Sequence, residues 1–156
     1  MKGKHVLDST PLTEADRDHF DRQGYLIVRQ ALEHDTVQRL LDAGDRLLRS
    51  DLRTGRQQAA DGQSDGFRNT IALDDAFIPL IDHQRILPTV VQLLGADLQI
   101  MTSHLIHKRP DPVGTPATHR RPGWHRDYAM AMGDMGHRAI PRLLVKCAYY
   151  LTDLRE

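Results

Sequence analysis

The chain has 156 residues, enough for one domain with a real core. Lys+Arg and Asp+Glu each total 21, giving a formal net charge of zero. That balance excludes a dedicated nucleic-acid or acidic-membrane binder and predicts modest solubility near neutral pH. The single cysteine, Cys147, excludes an intrachain disulfide, so a reducing cytoplasm is the expected compartment. No apolar leader follows Met1, and no apolar run approaches the roughly 20 residues of a membrane helix.

In chain order, Thr13 reads as an N-cap, with Asp16 in the first turn of a helix that reaches about Gln23 and stops at Gly24. Tyr25 to Val28 reads as a short strand. Asp35 or Thr36 is expected to cap a second helix, whose apolar face carries Val37, Leu40, Leu41, Leu47 and Leu48. The polar stretch 51–66, rich in Gly, Gln and Asp, reads as a mobile surface loop. A third helix is expected within His83–Leu94, starting near Pro88 and closed by Gly95.

Strands are expected to follow. Leu98 to Lys108 reads as one, and alternation places Ile100, Thr102, His104, Ile106 and Lys108 on a common face. Arg109 to Gly123 holds four prolines and two glycines and reads as a loop. Trp124 to Tyr128 suits a short extended segment, and Leu143 to Leu151 an apolar strand of a sheet interior, with Cys147 packed inside it. Helices first and strands later define an α+β domain with helices on an antiparallel sheet. The last strand is long, flat and apolar, a form that invites pairing with a second chain or with another copy.

The candidate chemistry lies in Gly123-Trp124-His125-Arg126-Asp127-Tyr128. On an extended backbone, residues two apart point to the same side, so His125 and Asp127 can reach one metal ion. An imidazole and a carboxylate with one distant histidine form the facial triad of non-haem iron(II). The bland alternative is a His–Asp hydrogen bond in a polar loop. A second His-x-Asp pair, His19 and Asp21, falls in the first expected helix. There the two side chains stand about 200° apart, which disqualifies them as joint ligands. His125-Arg126-Asp127 also matches the start of a kinase catalytic loop, but the position that needs asparagine is Met132. Thr102, His104 and Trp124 are weaker candidates for a substrate pocket. Arg109, Arg120, Arg121 and Arg126 make a locally basic stretch, either attracting an anion or simply solvated.

Three stretches read together resemble the phytanoyl-CoA hydroxylase (phytanoyl-CoA dioxygenase) family. The first runs from Leu12-Thr13-Glu14 through Gly24-Tyr25-Leu26-Ile27-Val28 into the second helix. Arg68-Asn69 to Leu93-Leu94-Gly95 is the second. Ile100 through Lys108-Arg109-Pro110, Trp124-His125-Arg126-Asp127 and the strand to Leu151 make the third and most specific.

The resemblance implies an α+β fold in which N-terminal helices pack on a double-stranded β-helix (jelly-roll) sheet. The 156 residues would be the N-terminal portion of that fold, as a single domain. It further implies a dioxygenase that uses iron(II) and 2-oxoglutarate to hydroxylate a small organic substrate, releasing succinate and carbon dioxide. Carried over, His125 and Asp127 are iron ligands and Lys108 meets a carboxylate of 2-oxoglutarate. Asp127 in that place favours hydroxylation over halogenation. The family's second iron histidine and its 2-oxoglutarate arginine lie downstream of the strand ending near Leu151, and neither precedes Glu156. His119 or His137 would be a poor substitute ligand. The expectation is therefore a truncated or split chain, inactive alone, or a catalytically inactive relative serving as a binding module.

Overall fold

A computed structural model describes residues 11–60, 62–110, 113–115, 133–134 and 142–153. Among these residues are the α-helices α1 (Glu14–Gln23), α2 (His34–Arg49) and α3 (Leu87–Leu94) and a three-stranded antiparallel sheet. The strands are β1 (Arg56–Gln58), β2 (Ser64–Arg68) and β3 (His104–Lys108), in the order β1-β2-β3. Two 3-10 turns, Thr70–Ala72 and Asp75–Leu80, lead from β2 towards α3. The α+β class read from the sequence is what the structure shows. No helix among the described residues is long and apolar enough to cross a membrane.

Local chemistry sets the helix ends. Thr13 accepts from the Asp16 backbone N–H, and the Asp16 carboxylate accepts from the Thr13 N–H at 2.8 Å, a reciprocal capping box. Gly24 ends α1 in the left-handed region at φ 78°, where a Cβ would be strained. Helix α2 begins earlier than expected: its N-cap is Glu33, with no side-chain cap, instead of Asp35 or Thr36. Packing compensates for the missing cap. Leu40, Ala43, Gly44 and Leu47 form a buried stripe at helical spacing. Pro88 sits in the first turn of α3, where its missing N–H costs nothing.

Two apolar clusters hold the described parts together. Leu40, Ala43 and Leu47 of α2 pack on Phe67 and Phe77, with Leu105 and Leu151 at the margin. Leu12 and Leu93 form the smaller cluster with Phe20, Leu26, Val28 and Val145. Gln92 joins α3 to α1 by accepting from the Leu12 N–H at 2.9 Å, while its main-chain carbonyl accepts from Arg17 at 3.0 Å.

Several sequence expectations are corrected. The stretch 51–66, expected to be a loop, contains β1 and the start of β2. Arg56 explains why polar residues form a strand there. Its guanidinium donates to both carboxylate oxygens of Asp65, at 3.1 and 2.6 Å, and to the carbonyls of Leu48 and Ser50, each at 2.9 Å. It also lies 5.3 Å over the Phe67 ring. One side chain thus ties the hairpin to the last turn of α2, a tertiary tie that local composition does not reveal.

Residues 25–28 carry only one bridge residue, Ile27, rather than a strand. The strand expected over Leu98–Lys108 is limited to His104–Lys108. Leu143 to Leu151 is not a strand of the described sheet. It crosses the helical side instead. Arg142 donates to the Leu93 carbonyl at 2.8 Å, pairs with Asp21 and stands 5.0 Å over the Phe20 ring. Val145 joins the smaller cluster, Tyr149 donates to the Leu80 carbonyl at 3.3 Å, and Leu151 reaches the main core. Burial, followed by the nearby Cys147, pushes the Tyr149 phenol up to about 12. Cys147 itself is exposed, not packed inside a strand as expected.

Candidate functional site

The β2–β3 ladder places the sequence-derived candidates that lie among the described residues. Its register pairs Ser64 with Lys108, Gly66 with Ile106 and Arg68 with His104. The Asn69 N–H donates to the Ser103 carbonyl at 2.7 Å, and the Arg109 N–H to Gln63 at 2.9 Å. These end bonds fix the phase of the ladder. Phe67–Leu105 and Asp65–His107 are hydrogen-bonded pairs, whereas Arg68–His104, Gly66–Ile106 and Ser64–Lys108 are the closer, non-hydrogen-bonded pairs.

Period-two alternation then divides the sheet into two faces. The inner face carries Arg56, Phe67, Leu105, Asp65 and His107. Phe67 is 1% exposed, and Leu105 lies against Gly44 of α2. Charge is neutralised on this side. Hydrogen bonding from Arg56 holds the Asp65 carboxyl below its ordinary value, against a burial contribution in the other direction, and His107 adds a smaller electrostatic pull. The outer face carries Gln57, Ser64, Arg68, His104, Ile106 and Lys108, with Gly66 at its centre. Ile106 is 74% exposed, and Arg68, His104 and Lys108 are exposed as well.

Gly66 is needed for space. A Cβ there would stand 2.1 Å from the Leu105 carbonyl oxygen, so only glycine lets β3 approach this closely. Its backbone is not in the positive-φ region.

Of the sequence-derived candidates, His104 and Lys108 share this outer face, two rows apart from one another across Ile106. Thr102 is exposed and precedes β3, so it is not part of the ladder. His125, Asp127 and Trp124 lie outside the described residues, as do His119 and His137. His19 and Asp21 lie in α1, as expected when they were set aside as joint ligands. Among the described residues no group of three or more His, Cys, Asp or Glu side chains is placed to hold a metal. As donor chemistry, the imidazole of His125 and the carboxylate of Asp127 suit iron(II). Lys108 is exposed and forms no ion pair among the described residues.

The sequence reading missed Gln57 and Arg68 as members of this face. Both belong to the hairpin hidden in the stretch read as a loop. The only signal was the alternation in Ser64-Asp65-Gly66-Phe67-Arg68, too short and too polar to stand out.

The domain is α+β, and the face of its sheet turned away from α2 carries Arg68, His104 and Lys108. The chain belongs to the phytanoyl-CoA dioxygenase family, whose model matches residues 20–156. Members of that family are iron(II)- and 2-oxoglutarate-dependent oxygenases. Comparisons with curated proteins and with solved structures found no match.

Proposed function

We propose that this chain contributes iron- and 2-oxoglutarate-binding residues of a hydroxylase acting on a small organic substrate. The observation that carries the reading is the family match, which spans Lys108, His125 and Asp127 together. In this reading the fold is the helix-fronted part of a jelly roll, and the outer face of β2–β3 faces the reaction site. His125 and Asp127 hold iron(II) through one imidazole nitrogen and one carboxylate. Lys108 holds a carboxylate of 2-oxoglutarate by a charge-assisted hydrogen bond. The bound metal and cosubstrate supply the oxidising chemistry that hydroxylates an unactivated carbon. The protein's own work is to fix donor geometry and exclude water.

A third protein ligand and a partner for the distal carboxylate of 2-oxoglutarate are not assigned to any residue of the 156. The chain alone therefore binds iron(II) weakly and produces no succinate at an enzymatic rate. The test is an anaerobic iron(II) titration of the purified chain. His125→Ala and Asp127→Ala should each abolish metal binding with the fold intact, while Lys108→Ala should weaken only the 2-oxoglutarate response. Undiminished iron binding in both ligand variants refutes the site. Robust succinate formation by the 156-residue chain refutes the claim that it is inactive alone.

The second reading is a catalytically inactive relative that binds a partner. β3 lies at the edge of the described sheet and exposes Ile106, which favours it. Under that reading His125→Ala leaves partner affinity unchanged.

A further inference from the structure

The outer face of the sheet has a charge pattern that the Lys108 assignment does not use up. The three strands contain one carboxylate, Asp65, and it belongs to the inner face, paired with Arg56. The outer face therefore carries Arg68 and Lys108 without any acidic strand residue to balance them. Both are exposed, and no ion pair or side-chain hydrogen bond joins either to another described residue. The two cations stand at opposite ends of the ladder, four residues apart along β2 and β3, or roughly 13 Å. Between them lies an apolar middle: Ile106, 74% exposed, opposite the buried Gly66. Gln57 flanks that row from β1.

Cation, apolar saddle, cation is the complement of an acid with an apolar body. With Lys108 committed to 2-oxoglutarate, Arg68 remains for a second anion. We infer that Arg68 binds the anionic head of the hydroxylase's own substrate, an organic carboxylate or phosphate monoester, while Ile106 supports the substrate's apolar body. This inference rests on the proposed function for the identity of the second anion. The planar guanidinium suits either head group through paired N–H donors. The Arg68 and Ile106 rows are about 7 Å apart along the strand, within reach of a short acyl or alkyl chain.

The test is a heteronuclear NMR titration of the full chain with hexanoate, hexyl phosphate and hexanol, read at the Arg68 side-chain Nε–H and the Ile106 methyls. Hexanoate, hexyl phosphate or both should shift these signals together and saturably, at least about tenfold more tightly than hexanol. Which anion binds more tightly decides between carboxylate and phosphate. Arg68→Gln, an exposed substitution whose fold the same spectra verify, should lower affinity for the anions to that for hexanol. Equal binding of hexanol and both anions overturns the inference, and so does unchanged anion affinity in Arg68→Gln. 2-Oxoglutarate is titrated separately and read at Lys108, so a failed cosubstrate assignment is distinguished from a failed Arg68 site.

Discussion

Replacing Gly66 by alanine should damage the protein far more than replacing Gly44, although both changes add one methyl group near Leu105. At Gly44 the new Cβ would meet only the Leu105 methyls, at 3.4 and 3.6 Å. Those are ends of a flexible side chain, and a helix interior gains up to about 1 kcal/mol when glycine becomes alanine. At Gly66 the new Cβ would stand 2.1 Å from the Leu105 carbonyl oxygen and 3.1 Å from its carbonyl carbon. Those atoms belong to the ladder and cannot rotate away, so β3 must retreat and weaken the Phe67–Leu105 and Asp65–His107 hydrogen-bonded pairs. Overpacking against side chains costs about 1–3 kcal/mol, and against fixed backbone the upper end or beyond applies. Urea unfolding followed by circular dichroism should place Gly66→Ala at least about 2 kcal/mol below wild type, and Gly44→Ala within about 1 kcal/mol of it. If the two variants unfold at the same urea concentration with equal slopes, the packing argument for β2–β3 is wrong.

Other perturbations test other parts of the fold. Phe67→Ala empties the centre of the main core, where the ring is 1% exposed, and should cost about 3–5 kcal/mol by the same urea assay. Thr13→Ala removes the capping box of α1 and should cost about 0.5–2 kcal/mol. Asp65 and Asp74 titrate below the ordinary carboxylate value of 3.8. A depressed folded-state value means the unfolded state binds the proton more readily. These carboxylates therefore add stability above pH 3.8, and it is lost as pH falls through the folded values. Acid unfolding of Asp65→Asn should show a shallower loss of stability below pH 4 than wild type, and an equally steep curve would contradict the Arg56–Asp65 assignment.

The elements legible in the sequence are those specified by local chemistry. α1 could be read from Thr13, Asp16 and Gly24 because a capping box and a left-handed stop are made by neighbours in the chain. Pro88 and Gly95 bracket α3 in the same way. The start of α2 was misplaced because Glu33 contributes no cap hydrogen bond, and burial of Leu40, Ala43, Gly44 and Leu47 holds the helix instead. The hairpin was hidden because its reasons are remote: Arg56 needs the α2 carbonyls, and Phe67 needs the α2 stripe. Leu143–Leu151 has the composition of a buried strand, yet it is not a strand of the described sheet: Val145 packs on the cluster of Leu12 and Leu93, and Tyr149 donates to the Leu80 carbonyl. Apolar composition predicts burial but does not choose the partner. For the candidate site, the sequence supplied His104 and Lys108 on one face, and the ladder agrees. It could not supply Arg68, because cross-strand neighbours are set by register.

Under the proposed function, the two faces of β2 and β3 divide stability from binding. On the inner face each charge has a reason within the fold: Arg56 and Asp65 neutralise one another, and Phe67 and Leu105 fill the core. On the outer face, Arg68 and Lys108 have no such partner among the described residues. An exposed isoleucine between two unmatched cations adds little to folding, since surface groups without partners contribute only tenths of a kcal/mol. Gly66 serves the inner side, because the absence of a Cβ permits the close approach of β3 that brings Leu105 to α2. Inner-face substitutions should therefore register as changes in unfolding. Arg68 and Lys108 should register in ligand affinity with stability unchanged, which makes this sheet a place where binding can be altered without first weakening the protein.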